Sequence, residues 1–221
     1  MGEPTSEPRS GPRALEPARP GDLVDIVETL VRAAELAYRD LPGAGEGGLA
    51  RLTAGMRVQK LEDYRRILRG DMTVLVHRGA DARVDGFTSF RRFRTANLEA
   101  RPDVWRDLPE SVRGDPVSIQ MYSWHARTPG LGPILMRAVL ERADGHAIFS
   151  NSTVGTRGFV LHAGHPRAER AEERGWGFVA IGDIRGTPEP LARAGIRDAP
   201  QQDLVLYGDA LRTALAAARE C

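Results

Sequence analysis

A chain of 221 residues with 41% hydrophobic content is long enough to bury one substantial core. Its 31 basic residues balance 30 acidic ones, which argues against a general nucleic-acid binder, and no apolar run of about 18 residues suggests a membrane span. The one cysteine is Cys221, the last residue, so neither an internal disulfide framework nor a cysteine-based zinc site can form within one chain. These features lead us to expect a cytoplasmic protein without a metal.

Residues 1–13 are rich in Pro, Glu, Arg and Ser and carry little to bury, which predicts a disordered tail ahead of a single domain over 14–221. Asp22 can cap a helix whose apolar face is Leu23, Ile26, Val27, Leu30 and Ala34. Gly43-Ala-Gly45-Glu-Gly-Gly48 fits the spacing of a dinucleotide fingerprint. No strand precedes it and no clear helix follows, so it is expected to be a flexible loop. A second helix is expected over 57–69, with Leu61, Tyr64, Ile67 and Leu68 inward and Gly70 ending it.

Strand-like text follows at Met72–His77 and Val84–Phe93, joined by a turn through Gly79, which predicts a β-hairpin. Residues 95–116 hold three prolines and read as an excursion. A strand is expected over Val117–Trp124. After it come Arg127-x-x-Gly130-x-Gly132 and an amphipathic helix from about Pro133 to Ala143 with Ile134, Leu135, Ala138 and Val139 on one face. Ala147–Val154 is a further strand, and His165–Arg174 a helix opened by Pro166 and ended by Gly175. Phe178–Ile181 and Asp203–Tyr207 read as closing strands before a C-terminal helix from Ala210.

The spacing Arg-x-x-Gly-x-Gly arises readily by chance in a chain with 24 glycines and a single lysine, Lys60, among its basic residues. Its context carries the inference. A helix N-terminus presents unpartnered N–H groups and the positive end of a dipole, and glycine lets a ligand come close to the backbone. A glycine turn between a strand and a helix is therefore a place to hold a pyrophosphate.

The order of elements, with Arg127-x-x-Gly130-x-Gly132 between the fourth strand and third helix, resembles the GNAT superfamily of acyl-CoA-dependent N-acyltransferases over residues 14–209. The family's pyrophosphate motif is Gln/Arg-x-x-Gly-x-Gly/Ala. Ala171-Glu172-Glu173-Arg174-Gly175-Trp176 resembles its Tyr-Glu-Lys-Leu-Gly-Phe stretch, and Leu15 to Leu23 its first strand and helix. The resemblance implies an α/β (α+β) fold with a mixed, mostly antiparallel sheet of six to seven strands flanked by helices. Its fourth and fifth strands splay apart to admit a pantetheine arm. It also implies direct attack of an amine on a thioester, with acetyl-CoA or another acyl-CoA as co-substrate.

On that reading the cofactor-binding residues are Tyr122, Trp124, Arg127, Thr128, Gly130, Leu131, Gly132 and Ile134. Pro129 and Pro133 depart from the pattern, because each removes an N–H donor from the cradle. Tyr122 stands where the family's backbone N–H polarises the thioester carbonyl, and its hydroxyl is an acid candidate. Ala171 (or Glu172) stands where the family often has an acid tyrosine, so the usual proton for the leaving thiolate is missing from that helix. Base candidates are His125, His162, His165 and Glu173; Tyr122, His125 and Glu173 form the candidate catalytic set. Ser118 and Gln120 occupy the strand where a carboxylate base is frequent, and neither serves at neutral pH. Ser150, Asn151 and Ser152 are candidates for binding pantetheine or the acceptor. Arg91, Arg92 and Arg94 with Phe90 and Phe93 form a basic and aromatic cluster that could meet a CoA phosphate or an acidic carrier.

The first expectation is transfer of an acyl group, acetyl in the first instance, from acyl-CoA to a small-molecule or peptide amine. One alternative is an acyl-carrier-protein donor. Another is a non-catalytic binding or regulatory module. No membrane or nucleic-acid partner is expected, and a homodimer is left open.

Overall fold

The computed structural model describes residues 14–164 and 175–220. The expected tail at 1–13, the expected helix at 165–174 with His165 and Glu173, and Cys221 lie outside the described residues. The strands are β1 (Glu16–Pro17), β2 (Thr73–Arg78), β3 (Val84–Arg94), β4 (Val117–Ala126), β5 (Ile148–Thr153), β6 (Val179–Arg185) and β7 (Gln201–Leu206). They form one seven-stranded sheet in the order β1-β2-β3-β4-β5-β7-β6, antiparallel throughout except for the parallel pair β4–β5. This is the mixed, mostly antiparallel sheet expected from the sequence.

The described helices are α1 (Leu23–Tyr38), α2 (Glu46–Ile67), α3 (Pro102–Asp107), α4 (Glu110–Arg113), α5 (Leu131–Ala143), α6 (Arg157–Ala163), α7 (Glu189–Arg193) and α8 (Gly208–Glu220). One core layer joins α1 and α2 to the sheet through Ile26, Leu30, Tyr64, Val76 and Phe87. The other joins α5 and α8 to it through Met136, Val139, Leu140, Ile119, Ile148, Leu204 and Leu211. The sequence periodicity of α1 and α5 is what makes both layers possible, since each helix offers one apolar stripe to a sheet face.

Several boundaries differ from the sequence reading, each for a physical reason. Asp22 occupies the N-cap position of α1 but makes no cap bond. Its carboxylate instead accepts two bonds from Arg78 (2.6 and 2.7 Å) and one from the Arg19 N–H (2.7 Å). A bidentate guanidinium outcompetes a helix N–H for the same oxygens. Burial alone would raise the Asp22 carboxyl; the bonds from Arg78 and Arg19 outweigh it and hold it below its ordinary range.

The glycine stretch at 43–48 is not a free loop, because α2 begins inside it at Glu46, about three turns earlier than expected. Gly43 (φ +81°) lies against the Gly195 carbonyl so closely that a β-carbon could not fit. Arg197 N–H donates to the Pro42 carbonyl (2.8 Å) and Arg51 to the Ala194 carbonyl (2.8 Å). The α1–α2 loop is thereby tied to the β6–β7 connection. No strand leads into it, as the sequence indicated, so it has no dinucleotide-binding context. The excursion at 95–116 contains α3 and α4 and is closed at its base by Thr95 N–H to the Pro116 carbonyl (3.2 Å). The glycine-rich stretch after β5 holds α6, capped by Thr156.

Candidate functional site

β4 and β5 pair at Ile119↔Ile148 and Gln120↔Phe149 and nowhere further, although β4 continues to Ala126 and β5 to Thr153. Beyond Gln120 the strands diverge, and the β4 peptide groups that face the gap have no β5 strand to bond. The cause is visible on the other side of β4. There the register with β3 passes from Ser89↔Ser123 to Phe90↔Met121, so Tyr122 is an extra, bulged residue. A bulge bends its strand and increases the local twist, turning the end of β4 away from β5.

The bulge also redirects side chains. Met121 and Trp124 both pack into the α5 layer. Ser123 faces α2, where the Tyr64 hydroxyl bonds its Oγ (2.6 Å) and lies 3.3 Å from Ser89 Oγ. Tyr122 is left 46% exposed, with the Arg91 guanidinium 5.4 Å from its ring centre. Strand alternation puts Arg92 and Arg94 on the face opposite Arg91. Arg92 there donates to the Arg142 carbonyl (3.3 Å), so the expected basic cluster is divided between two faces.

At the mouth of the gap lies the glycine turn. Arg127 N–H donates to the Asp85 carbonyl (2.6 Å) and Thr128 Oγ1 to the Asp85 carboxylate (3.1 Å). The other Asp85 oxygen meets His77 Nδ1 (2.7 Å). Gly130, at φ +84°, is the N-cap of α5, a left-handed conformation that glycine adopts without penalty. The helix begins at Leu131, two residues earlier than expected, so Pro133 is its third residue rather than its first. The Trp124 indole N–H donates to the Gly132 carbonyl (2.8 Å), laying the ring along the first turn. The turn residues 126–130 are exposed, with the N-terminus of α5 behind them. The charge of Arg127 is also felt by Asp25 and Glu28 of α1.

The two described histidine candidates sit on opposite faces of the sheet, His125 in the layer of Phe87 and His162 in that of Trp124. His125 packs its ring against Phe87 (5.8 Å between centroids). Burial, with a smaller contribution from His162, pushes its pKa down to about 4, so it is neutral at physiological pH. His162, on α6, is fully enclosed. Its Nδ1 lies 2.7 Å from the Gly158 carbonyl and its Nε2 3.3 Å from Ser150 Oγ. Edge-on contacts to Trp124 (5.4 Å) and Phe178 (5.2 Å) complete the surround, and Trp124 also meets Trp176 (6.1 Å). Burial lowers the His162 pKa as well, against the hydrogen bond that its ring donates to the Gly158 carbonyl, which raises it. Because His162 touches Trp124 of β4 and Ser150 of β5, it bridges the two diverging strands.

Of the three β5 polar residues, Ser150 is buried against His162, Asn151 is exposed on the opposite face and Ser152 is half-buried. They do not act as one surface. Ser118 is buried against Thr95 Oγ1 (2.8 Å), and the Gln120 amide reaches the Met121 and Phe149 carbonyls. A cavity of about 590 Å³ lies at the far end of α5 among Thr73, Phe90, Arg92 and Arg142, remote from the gap. Sequence reasoning found the glycine turn and named Tyr122, Ser150 and His162 separately as candidates, but missed the pairing of His162 with Ser150. Its one local trace is the i, i+4 spacing of Gly158 and His162 on a short helix.

No protein-family model and no curated protein matches the chain. Solved structures do. NAA60 of Arabidopsis thaliana, in complex with acetyl-CoA, superposes with a TM-score of 0.50 at 12% identity, over 88% of this chain and 99% of that one. Histone acetyltransferase HPA2 and related acetyltransferase of Corynebacterium glutamicum gives 0.48 at 17% identity, over 88% and 96%. Spermidine N-acetyltransferase SpeG of Vibrio cholerae (F149A mutant) gives 0.48 at 13%, over 93% and 99%. The seven-stranded, mostly antiparallel sheet with its parallel β4–β5 pair, flanked by helices, matches the fold of the acetyltransferase structure it superposes on: the chain has the GNAT fold.

Proposed function

We propose that the chain is an N-acyltransferase that moves an acyl group, acetyl in the first instance, from acyl-CoA to a primary amine by direct attack on the thioester. The observation that carries this reading is the unpaired stretch of β4 and β5 opening beside the N-terminus of α5. The gap offers a slot for an extended pantetheine arm, which can bond to a strand edge as a further strand would. The α5 terminus offers N–H groups and a favourable dipole to a pyrophosphate. Gly132 supplies a first-turn donor there and Leu131 a second, whose N–H now points to the Thr128 carbonyl at 3.4 Å, while Pro129 and Pro133 supply none. The roles of Tyr122, Trp124, Arg127, Thr128, Gly130 and Ile134 belong to the same proposal, with the Tyr122 N–H as candidate donor to the developing oxyanion. The α1–α2 loop and the β6–β7 connection, tied together through Gly43 and Arg51, form a fixed wall suited to selecting a small-molecule or peptide amine.

The test is calorimetric titration with acetyl-CoA, followed by a thiol-release assay over a panel of primary amines that includes spermidine and an amino-acid amide. Binding with amine-dependent thiol release is the expected result. Absence of binding at millimolar acetyl-CoA would sink the reading. A second reading, a module that binds without turnover, is favoured by one observation: His162, Trp124 and Trp176 already occupy the space beside the gap. Acetyl-CoA binding without thiol release for any amine would select it.

A further inference from the structure

We infer that Ser150 and His162 are the proton-transfer pair of this site, carrying the proton of the attacking amine to the leaving thiolate. The inference rests on the acyl-transfer reading above and assigns the chemistry it lacks. Ser150 is the first β5 residue beyond the last pairing with β4, so it stands where the gap opens. Its Oγ lies 3.3 Å from His162 Nε2. The Gly158 carbonyl, 2.7 Å from Nδ1, can only accept, which places the imidazole proton on Nδ1 and leaves the Nε2 lone pair toward Ser150. A hydroxyl, a base within reach and a third group that orients the base form the arrangement proton transfer requires. Both side chains are enclosed, Ser150 at 7% and His162 at 9% exposure, so bulk water does not compete for the proton.

The step balances without any further reactant. The neutral amine nitrogen bonds to the thioester carbon and the carbonyl becomes an oxyanion. The nitrogen, now carrying one proton too many, passes it to Ser150 Oγ as the Ser150 proton moves to His162 Nε2. The oxyanion collapses, the carbon–sulfur bond breaks, and the thiolate takes a proton from Ser150. His162 Nε2–H then restores the serine hydroxyl. Amide and free thiol leave, and the pair ends as it began. Burial disfavours the intermediate imidazolium and makes it a stronger acid than a solvated one, which suits the return of the proton. Among the described residues that approach the gap, no other hydroxyl is bonded to an imidazole.

The experiment compares wild type with Ser150→Ala, Ser150→Thr, His162→Gln, the double variant and His162→Gly. It uses acetyl-CoA and the fastest amine of the panel, with thermal melts to confirm folding. Ser150→Ala and His162→Gln should each lower kcat roughly 10²-fold while leaving acetyl-CoA affinity within about threefold. The double variant should lose no more than either single one, since the two act as a unit. Ser150→Thr should retain most of the rate. His162→Gly should regain rate with added imidazole but not with pyrazole, which has the same size and is far less basic; a merely structural role predicts equal rescue by both. Unchanged kcat in the single variants, multiplicative losses in the double, or equal rescue by the two azoles overturns the proposal and leaves acyl transfer standing. Wild-type protein that neither binds acetyl-CoA nor releases thiol overturns the acyl-transfer reading, and this inference with it.

Discussion

Two desolvated histidines, His125 half-buried and His162 buried, set the pH response of the fold. His125 and His162 are both held neutral, the first with a pKa of about 4, whereas an unfolded imidazole titrates near 6.5. A depressed histidine contributes stability fully above the unfolded pKa and loses it as pH falls toward the folded value, because the unfolded chain takes up the proton that the native state refuses. Stability should therefore be flat above pH ~7 and fall between ~6.5 and ~4. His125 alone should account for at most about 2 kcal/mol at pH ~5, and for nearer ~1 kcal/mol because its half-buried ring keeps some solvent access. Urea midpoints at pH ~7.5 and ~5 measure this, and His125→Phe should flatten the difference; an unchanged midpoint would contradict the burial argument. The carboxylates of Asp22 and Asp25 are held low, so their losses come at still lower pH. At this scale the sequence identified the histidines as candidates but not their environments. Nothing near His162 in the chain announces Trp124 or Phe178, because those contacts come from other elements.

Two elements hold the gap open. The hydroxyl cluster of Tyr64, Ser89 and Ser123 pins α2 to both strands at the bulge. Tyr64→Phe removes a 2.6 Å bond and leaves Ser123 without its partner, which should cost about 1–2 kcal/mol by denaturant unfolding. If the cluster also fixes the bulge, acetyl-CoA affinity should fall with it. At the other element, α5, Pro133 is the third helical residue and lacks the N–H that this position would present at the mouth of the gap. Pro133→Ala restores a donor that can meet a pyrophosphate oxygen. We expect acetyl-CoA binding to tighten about fivefold, equivalent to about 1 kcal/mol, by calorimetry; weaker binding would mean that the pyrophosphate does not use this turn. The sequence revealed α5 through its 3.6-residue period and glycine turn. It concealed the start of α2, because the glycines at 45, 47 and 48 read as a loop although a helix begins right after the first and runs through the other two. Tertiary contact with α7 overrides their weak propensity.

Across the whole molecule, the sheet is read by two helical layers and then locked by a contact between distant loops. Gly43 and Gly195 approach so closely that Gly43→Ala must displace one backbone from the other, and the positive φ of Gly43 adds strain. A loss of at least about 2 kcal/mol is expected in thermal or urea unfolding. On the proposed role of these loops in selecting the amine, the same change should raise KM for the amine more than for acetyl-CoA. What the sequence alone determined was the alternation of helix and strand, the hairpin, and the glycine turn ahead of α5, since periodicity and turn chemistry are local. The tertiary structure decided the bulge at Tyr122, the parting of β4 from β5, and the meeting of Ser150, His162 and Trp124. Strand register is set by pairing with a neighbour. The side chains that meet across the gap belong to elements brought together only when the sheet and its helical layers pack, so no local pattern in the chain encodes them.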